Sequence, residues 1–402
     1  MPLSDLLDTL TSSARREALD AMDGLLRSHA ESADLPATVV TIADRMLALD
    51  LPLERLSVLA EAVAADADAI ECTWNRDDGR MRQVATHRTG DVSSGKGCLL
   101  DAPSALDRWT DLRSNELSVD RSTIVTNLRR CGITQILCVP LPLARGGAGW
   151  LLLMTADPAG FTPADRAMLE TLVPSIGVLL ATRIDRLTDS RLLRTYVGDG
   201  AHRAILSGIA KRGEAIPIRS AIFFADMRDS LGHTAGMDSF SQVDLLNDFF
   251  DCLVPPIEAR GGEVLKFTGD GLLAVFPEQG DDKTVASDAL DAAREVVENL
   301  AAMNDSRPRH RPIELGIGLH YGEAAYGNIG SGLRLDFTVV GRNIGLASRI
   351  GDLNKVLSEP HLMSSCFAEQ LRGGGEPVGT FKVAGVPTPV AVFRPIREAA
   401  AA

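Results

Sequence analysis

The chain has 402 residues, which at roughly 150 residues per domain predicts two or three domains. Its 41 basic and 54 acidic residues give a net charge of −13, which argues against binding nucleic acid or an anionic membrane. Hydrophobic residues make up 45% of the sequence, enough for sizeable cores. The sequence has neither an unbroken apolar run of membrane-spanning length nor the basic start of a secretory signal. We therefore expect a globular, cytoplasmic protein with no nucleic-acid or membrane partner.

The cysteines and lysines are informative by their distribution. The sequence has no C-x-x-C pair and no cysteine cluster with histidines at metal-ligand spacing, which favours buried free thiols over a structural zinc site. The six cysteines are Cys72, Cys98, Cys131, Cys138, Cys252 and Cys366. Only six of the 41 basic residues are lysines, so arginine is the usual cation of this chain.

The N-terminal half divides into a helical segment, residues 1–49, and a mixed α/β region, residues 50–182. The Ala-, Leu-, Arg- and Asp-rich stretch from Ser4 to about Leu49 predicts an amphipathic helix. Thr162 as N-cap and Pro163 at the first helical position predict a helix running towards Arg194. This helix leads into a junction, residues 183–215. The predicted strands are Ala69–Trp74, Met81–Thr86, Thr134–Leu141 and Gly149–Thr155, with a turn at Arg145–Gly147 between the last two. Trp74, Trp109 and Trp150 belong either to the core or to a ligand pocket.

Residues 216–396 predict a third region with the element order β-α-β-β-α-β. That order is typical of the ferredoxin-like split unit, an α+β fold. The predicted elements are strand Ser220–Ala225, helix Ser241–Ala259, strand Val264–Phe267, strand Leu272–Phe276, helix Thr284–Met303, strands Ile313–His320 and Leu335–Val340, and helix Asn343–Leu353.

Two aspartates lie at neighbouring strand ends of this region. Asp226 follows the first strand, and Asp270 lies in the tight turn Thr268–Gly271 of the adjacent hairpin. Because these strands are neighbours in a split βαββαβ sheet, both carboxylates can converge on one point. Mg²⁺ prefers one or two carboxylates together with substrate phosphates, and two such ions serve phosphoryl transfer in polymerases. Alternatively, Asp270 only stabilises the turn, since Asp-Gly is a common hairpin signal.

Three segments in this order resemble the class III nucleotidyl cyclases: Phe224–Met227, Gly262–Gly271, and Asp336–Gly341 with Ala347–Arg349. The resemblance covers about 180 residues, from Ile216 to Pro395. The segment Leu192–Gly213 resembles the junction of soluble bacterial cyclases. Residues 50–182, with a strand pair and a long exit helix, resemble ligand-sensing domains of the GAF type.

The resemblance implies a set of site residues. Asp226, Asp270 and the backbone carbonyl of Met227 match the ligands of two Mg²⁺ or Mn²⁺ ions. Lys266 and Thr338 match the pair that reads adenine, since an ammonium donates to adenine N1 whereas guanine carries an N–H there.

Each of the cationic candidates has a structural alternative. Arg349 matches the arginine that stabilises negative charge on the phosphates, and it could instead form a surface ion pair with Asp352. Lys266 could instead be an exposed lysine of an edge strand.

As an expectation, the chain is an adenylate cyclase that converts ATP into cyclic AMP and pyrophosphate. By resemblance, two copies would form a homodimer with composite sites, and the N-terminal domain would bind an unidentified small ligand. Three departures from the family predict low activity. Gly345 replaces an Asn that orients the ribose, Leu231 replaces a hydroxyl residue, and Ala384 replaces a phosphate-binding cation. Lys382, two residues before Ala384, would share its strand face and bind phosphate in its place. The alternative is a cyclase-like module that binds nucleotide without turning it over.

Overall fold

The structure is a computed structural model that describes residues 11–31, 34–64, 67–77, 81–86, 110–113, 132–143, 148–278, 284–308 and 311–396. The chain divides into two compact units, Met1–Thr195 and Tyr196–Ala402. Cys98, Cys131, Trp109 and the predicted turn Arg145–Gly147 lie outside the described residues.

The first unit contains helices and a six-stranded antiparallel sheet with the strand order β3-β2-β1-β6-β5-β4. Its core lies between the helices and one face of the sheet. The elements are α1 Ser12–Glu31, α2 Leu35–Ala48, β1 Arg55–Ala64, β2 Ala67–Asn75, β3 Met81–Thr86, β4 Thr110–Arg113, β5 Gln135–Pro140, β6 Gly149–Thr155 and α3 Pro163–Val197.

The segment predicted as one N-terminal helix forms two. Asp34 caps α2, because its side chain accepts a hydrogen bond from the backbone N–H of Ala37 at 2.8 Å. Pro36 lies in the first turn of α2, where a missing N–H costs nothing. The same start signals therefore separate α2 from α1.

Helix α3 begins as the sequence predicts. The Thr162 hydroxyl accepts from the backbone N–H of Asp165 at 3.2 Å, and the Asp165 carboxylate accepts from the N–H of Thr162 at 2.8 Å, which forms a capping box. By length and composition alone, α3 could also cross a membrane, but 67% of its most apolar window is buried within the fold. Burial of this extent is typical of a core helix.

The cysteines and tryptophans of the described residues are mostly buried. Cys72, Cys138 and Cys252 are buried free thiols, whereas Cys366 is exposed, which corrects the expectation that all are buried. Burial raises the pKa of the Cys72 and Cys138 thiols to about 12, so both stay protonated at neutral pH. Trp74 and Trp150 are each 4% exposed and belong to the core.

The second unit is built on an eight-stranded sheet. Its main path has the order β13-β14-β12-β10-β7-β9-β8, and β11 pairs with β10 off this path. The elements are α4 Asp199–Leu206, β7 Ala215–Met227, α5 Ser230–Thr234, α6 Ser239–Ala259, β8 Glu263–Thr268, β9 Gly271–Pro277, α7 Val285–Ser306, β10 Leu315–Gly330, β11 Leu335–Val340, α8 Arg342–Leu357, β12 His361–Ser364, α9 Ser365–Ala368, β13 Glu376–Phe381 and β14 Val390–Arg394.

Strand β7 lies at the centre of this sheet and fixes the position of Asp226. It pairs antiparallel with β10 and β9, so that Asp226 lies opposite Gly316 on one side and Gly271 on the other. The alternate residues Phe223 and Met227 are buried against α6 and α7. Because side chains alternate along a strand, the side chain of Asp226 points to the other face.

Strands β12 to β14 extend the sheet beyond the predicted elements. Lys382 and Ala384 were expected to share one face of a strand, but β13 ends at Phe381 and both residues lie in the loop after it. Both side chains are nevertheless exposed, on either side of the buried Val383.

Candidate active site

The turn between β8 and β9 brings Asp270 to the end of β7. Thr268 pairs with Gly271 across the hairpin, so the two turn residues are Gly269 and Asp270, and Gly269 has a φ of +71°, which favours glycine. The backbone N–H of Met227 donates to the carbonyl of Asp270 at 3.1 Å and ties the turn to β7. Asp226 and Asp270 therefore lie side by side, as the strand order predicts.

Gly271 is part of β9 rather than of the turn, and it leaves room for the Asp226 carboxylate. A Cβ atom at residue 271 would lie 2.8 Å from Oδ1 of Asp226 and 2.6 Å from the carbonyl oxygen of Ala225. The neighbouring strand thus presents bare backbone where the carboxylate lies. From the sequence alone, Gly271 is predicted only as a turn residue.

The two carboxylates repel each other. Burial, followed by the charge of Asp270, raises the pKa of Asp226, and the ammonium of Lys355 partly offsets this rise. Such a pair suits a hard divalent cation, which would neutralise both groups. Within the described residues, no group of three or more His, Cys, Asp or Glu side chains is arranged to hold a metal. Two carboxylates are nevertheless the donor set that Mg²⁺ accepts when phosphates complete its coordination. Met227 is 2% exposed and belongs to the core on the opposite face of β7.

Lys266 is held by an ion pair that the sequence analysis did not predict. Its Nζ lies 2.8 Å from Oδ2 of Asp336, which joins β8 to β11. Asp336 and Thr338 share one face of β11, because they are two residues apart. Asp336 therefore orients the ammonium near the strand that carries Thr338.

Thr338 carries a buried hydroxyl. The residue is 4% exposed, and within the part of the chain that the structure describes its Oγ1 has no hydrogen-bond partner. Its neighbour across the sheet is Gly327, which has no side chain. An unsatisfied buried hydroxyl is costly, so this atom is suited to a ligand that can hydrogen-bond to it.

Arg349 and Gly345 lie one turn apart on the exposed face of α8. Arg349 Nη1 lies 3.2 Å from Oδ2 of Asp352, so the alternative ion pair exists. Both side chains are about half exposed, and such pairs contribute at most ~1 kcal/mol, so the guanidinium can leave Asp352 at little cost. A Cβ atom at Gly345 would meet nothing within 4 Å.

The side-chain amide of Asn343, two residues before Gly345, is already hydrogen-bonded within the domain. Its Oδ1 accepts from Nε2 of His320 at 3.1 Å, and its Nδ2 donates to the carbonyl of Glu323 at 2.7 Å. His320 is buried, and its Nδ1 accepts from the hydroxyl of Ser364 at 2.7 Å. Asn343 therefore anchors the start of α8 to β10 and is not free to replace an amide at position 345.

Lys355, also on α8, is a functional candidate that the sequence analysis missed. Its Nζ lies 3.7 Å from Oδ2 of Asp226 and 3.8 Å from Oδ1 of Asp352.

Of the remaining predicted positions, Leu231 is exposed at the start of α5, and Lys382 is exposed after β13. The structure therefore joins Asp226 to Asp270 and Lys266 to Asp336, and leaves Leu231, Gly345, Lys382 and Ala384 as exposed positions.

Residues 218–357 match the sequence model of one family, described as the adenylate and guanylate cyclase catalytic domain. This segment is therefore similar to the catalytic domains of adenylate and guanylate cyclases. It contains both aspartates, the two residues expected to read the base, and Arg349.

Curated relatives are similar to part of this chain at modest identity, and two of them are adenylate cyclases. The terminal-differentiation-specific adenylate cyclase of Dictyostelium discoideum is 35% identical over 143 residues, which are 36% of this chain and 7% of that protein. The adenylate cyclase of Anabaena cylindrica is 33% identical over 152 residues, which are 36% of this chain and 29% of that protein. The chain thus spans less than a third of the length of either relative.

Solved cyclase structures align with a larger part of the chain. A bacterial light-regulated adenylyl cyclase is 22% identical with a TM-score of 0.49, covering 67% of this chain and 88% of that one. The adenylyl cyclase CyaB from P. aeruginosa is 23% identical with a TM-score of 0.43, covering 46% of this chain and 98% of that one.

Proposed function

We propose that the chain is an adenylate cyclase, in which the ribose 3′-OH of ATP attacks the α-phosphorus to give cyclic AMP and pyrophosphate. The observation that carries this proposal is the convergence of Asp226 and Asp270 at one end of β7. The cyclase family match and two curated relatives named adenylate cyclases support it.

In the proposed site, Asp226, Asp270 and the backbone of Met227 bind two Mg²⁺ or Mn²⁺ ions. When bound, these ions lower the pKa of the 3′-OH and neutralise the leaving pyrophosphate. Arg349 leaves Asp352 and binds the phosphates as negative charge develops on them. Lys382 supplies a further cation for the phosphates from the exposed turn after β13.

For the choice of ATP, we propose that Lys266 and Thr338 read the adenine edge. An ammonium has three N–H donors, so Lys266 can keep Asp336 and still donate to adenine N1. The unpartnered hydroxyl of Thr338 can accept from the exocyclic amino group. Guanine would oppose Lys266 with a donor at N1, which disfavours GTP.

Assembly as a homodimer with composite sites is part of the proposal, in which one protomer supplies the aspartates and its partner supplies Lys266, Thr338 and Arg349. Large apolar side chains of the second unit stay exposed, which suits a self-association surface. They include Leu231, Phe240, Val243, Phe267, Leu333, Leu335 and Val340. Phe267 stays 54% exposed although its ring packs 4.4 Å from that of Phe250.

For the first unit, we propose a GAF-like sensory domain that binds a small ligand and regulates the cyclase domain. We propose that the whole protein is cytoplasmic. Its six-stranded antiparallel sheet, with helices packed on one face, supports this.

A second candidate function is a nucleotide-binding module with little or no turnover. It is favoured by Gly345, which offers no side chain, and by Asn343, whose amide is already engaged.

One experiment separates the two functions. The full-length protein is incubated with ATP and either Mg²⁺ or Mn²⁺, and cyclic AMP is measured by chromatography, with Asp270→Asn as control. We expect cyclic AMP from the wild type and none from the variant. Binding of ATP with no cyclic AMP under either metal would instead establish the module.

A further inference from the structure

The side chain of Lys355 lies against the candidate metal site. The ammonium of Lys355 is within ion-pair distance of Asp226, and Asp352 offers it a second carboxylate at 3.8 Å. Lysine is scarce in this chain, with six against 35 arginines, so a lysine at this position is not a generic surface cation. Neither the family match nor the predicted site residues give it a role.

The charges around Asp226 are unbalanced. Lys355 lies within ion-pair distance of both Asp226 and Asp352, and Asp270 lies at the same end of β7, so three carboxylates surround this one ammonium. Arg349 contacts Asp352 rather than Asp226. Lys355 therefore performs for Asp226 part of the neutralisation that a divalent cation would perform.

We propose that Lys355 is an internal counter-ion of Asp226 that opposes divalent cation binding, so that this lysine sets the metal affinity of the site. The inference rests on the proposed function, since it assumes that Asp226 and Asp270 bind the metal. An ammonium within 4 Å of a ligand oxygen repels a doubly charged ion on the same carboxylate.

The geometry also gives the lysine an alternative position. Its side chain is 55% exposed and flexible, and Asp352 lies one turn before it on α8, so Lys355 can swing from Asp226 to Asp352 when a metal ion binds. Metal binding then costs the loss of one ion pair rather than the burial of an unpaired ammonium.

The test measures binding of Mn²⁺ alone, with no nucleotide, to the full-length protein. Binding is monitored as the loss of the electron paramagnetic resonance signal of free Mn²⁺. Four variants are compared with the wild type: Lys355→Gln, Lys355→Arg, Lys211→Gln and Asp270→Asn. Lys211 lies on the exposed loop before β7 and provides the same change in net charge away from the site. Asp270→Asn identifies the part of the binding that belongs to the two aspartates.

We expect Lys355→Gln to bind Mn²⁺ about tenfold more tightly, because the repulsion is gone. Lys355→Arg keeps the charge and should bind no more tightly than the wild type, and Lys211→Gln should match the wild type. The proposal is overturned if Lys355→Gln binds Mn²⁺ equally or more weakly, or if Lys211→Gln tightens binding as much. If Asp270→Asn binds Mn²⁺ as well as the wild type does, the metal site of the proposed function fails, and the role of Lys355 fails with it. Loss of binding in Asp270→Asn with no gain in Lys355→Gln overturns the role of Lys355 alone.

Discussion

Gly345 gives the sharpest test of the proposed chemistry, because the structure allows an amide to be added there without disturbing anything else. A Cβ atom at this position meets nothing within 4 Å, and the residue lies one helical turn before Arg349 on the same exposed face. We expect Gly345→Asn to raise kcat, since it adds a hydrogen-bond donor beside the arginine proposed to stabilise developing charge.

The magnitude follows from two separate effects on α8. A positioned donor at developing charge is typically worth ~10²–10³ in kcat, and an added one with imperfect support should give about tenfold or more, or about 1.4 kcal/mol. Removing a glycine from a helix interior is a different effect. Gly345→Ala should stabilise the fold by about 0.5–1 kcal/mol, and Gly345→Asn by a few tenths of a kcal/mol.

The assay compares the two variants with the wild type over a range of ATP concentrations, together with their thermal unfolding. We expect Gly345→Asn to raise kcat with little change in KM, as for a contact made mainly in the transition state. Gly345→Ala should raise the unfolding temperature by about 1–4 °C and leave kcat unchanged. The reasoning is refuted if both variants raise kcat equally, which would assign the gain to helix order. It is also refuted if Gly345→Asn leaves kcat unchanged or lowers it.

Three further predictions concern the candidate site and the buried histidine beneath α8. Lys266→Glu combined with Thr338→Cys should erode a preference for ATP over GTP, measured as the ratio of kcat/KM values; a wild type that prefers GTP would contradict the role of Lys266. Mixing inactive Asp270→Asn with inactive Arg349→Ala should restore part of the cyclic AMP output, because one site of a heterodimer regains every group; no recovery in demonstrated heterodimers would mean that each site lies within one chain. Burial lowers the pKa of His320 below its usual 6.5, so the unfolded chain takes up the proton first and the free energy of unfolding should fall as the pH drops below about 6.5. In urea unfolding, His320→Gln should show a weaker dependence on pH, and an unchanged dependence would exclude this histidine as its source.

The sequence predicted the elements around the aspartates closely because they follow simple patterns. Strand β11 has the predicted bounds, and α6 ends at the predicted Ala259 before Gly261. Strand β1 was missed for a physical reason. Its sequence, rich in Ala, Leu and Glu, has high helix propensity, yet Arg55–Ala64 pairs with strands on both sides. Burial between two neighbours overrides local preference, and no window of sequence contains those neighbours.

The same limit applies to the candidate site. The convergence of Asp226 and Asp270 could be predicted because strand order alone brings them together. The Lys266–Asp336 pair joins residues 70 positions apart, and no spacing rule predicts such a contact. The hydrogen bond between Asn343 and His320 could not be predicted either, because the sequence does not distinguish an exposed amide from one that is hydrogen-bonded within the fold.

The scarcity of lysine links these observations. Two of the six lysines, Lys266 and Lys355, contact carboxylates of the candidate site, although arginine is nearly six times as common in the chain. Lysine and arginine differ in how easily they give up a carboxylate partner. A guanidinium can bind a carboxylate through two parallel hydrogen bonds in a fixed plane, whereas the three donors of an ammonium share one nitrogen and rotate freely. An arginine at position 355 would hold Asp226 through two bonds and leave less of its carboxylate for a metal ion. A lysine there neutralises Asp226 and can still exchange it for Asp352, and a lysine at 266 can keep Asp336 while it donates to a base. Lysine at both positions thus suits a site in which these two cations sit on carboxylates and must leave room for substrate or metal.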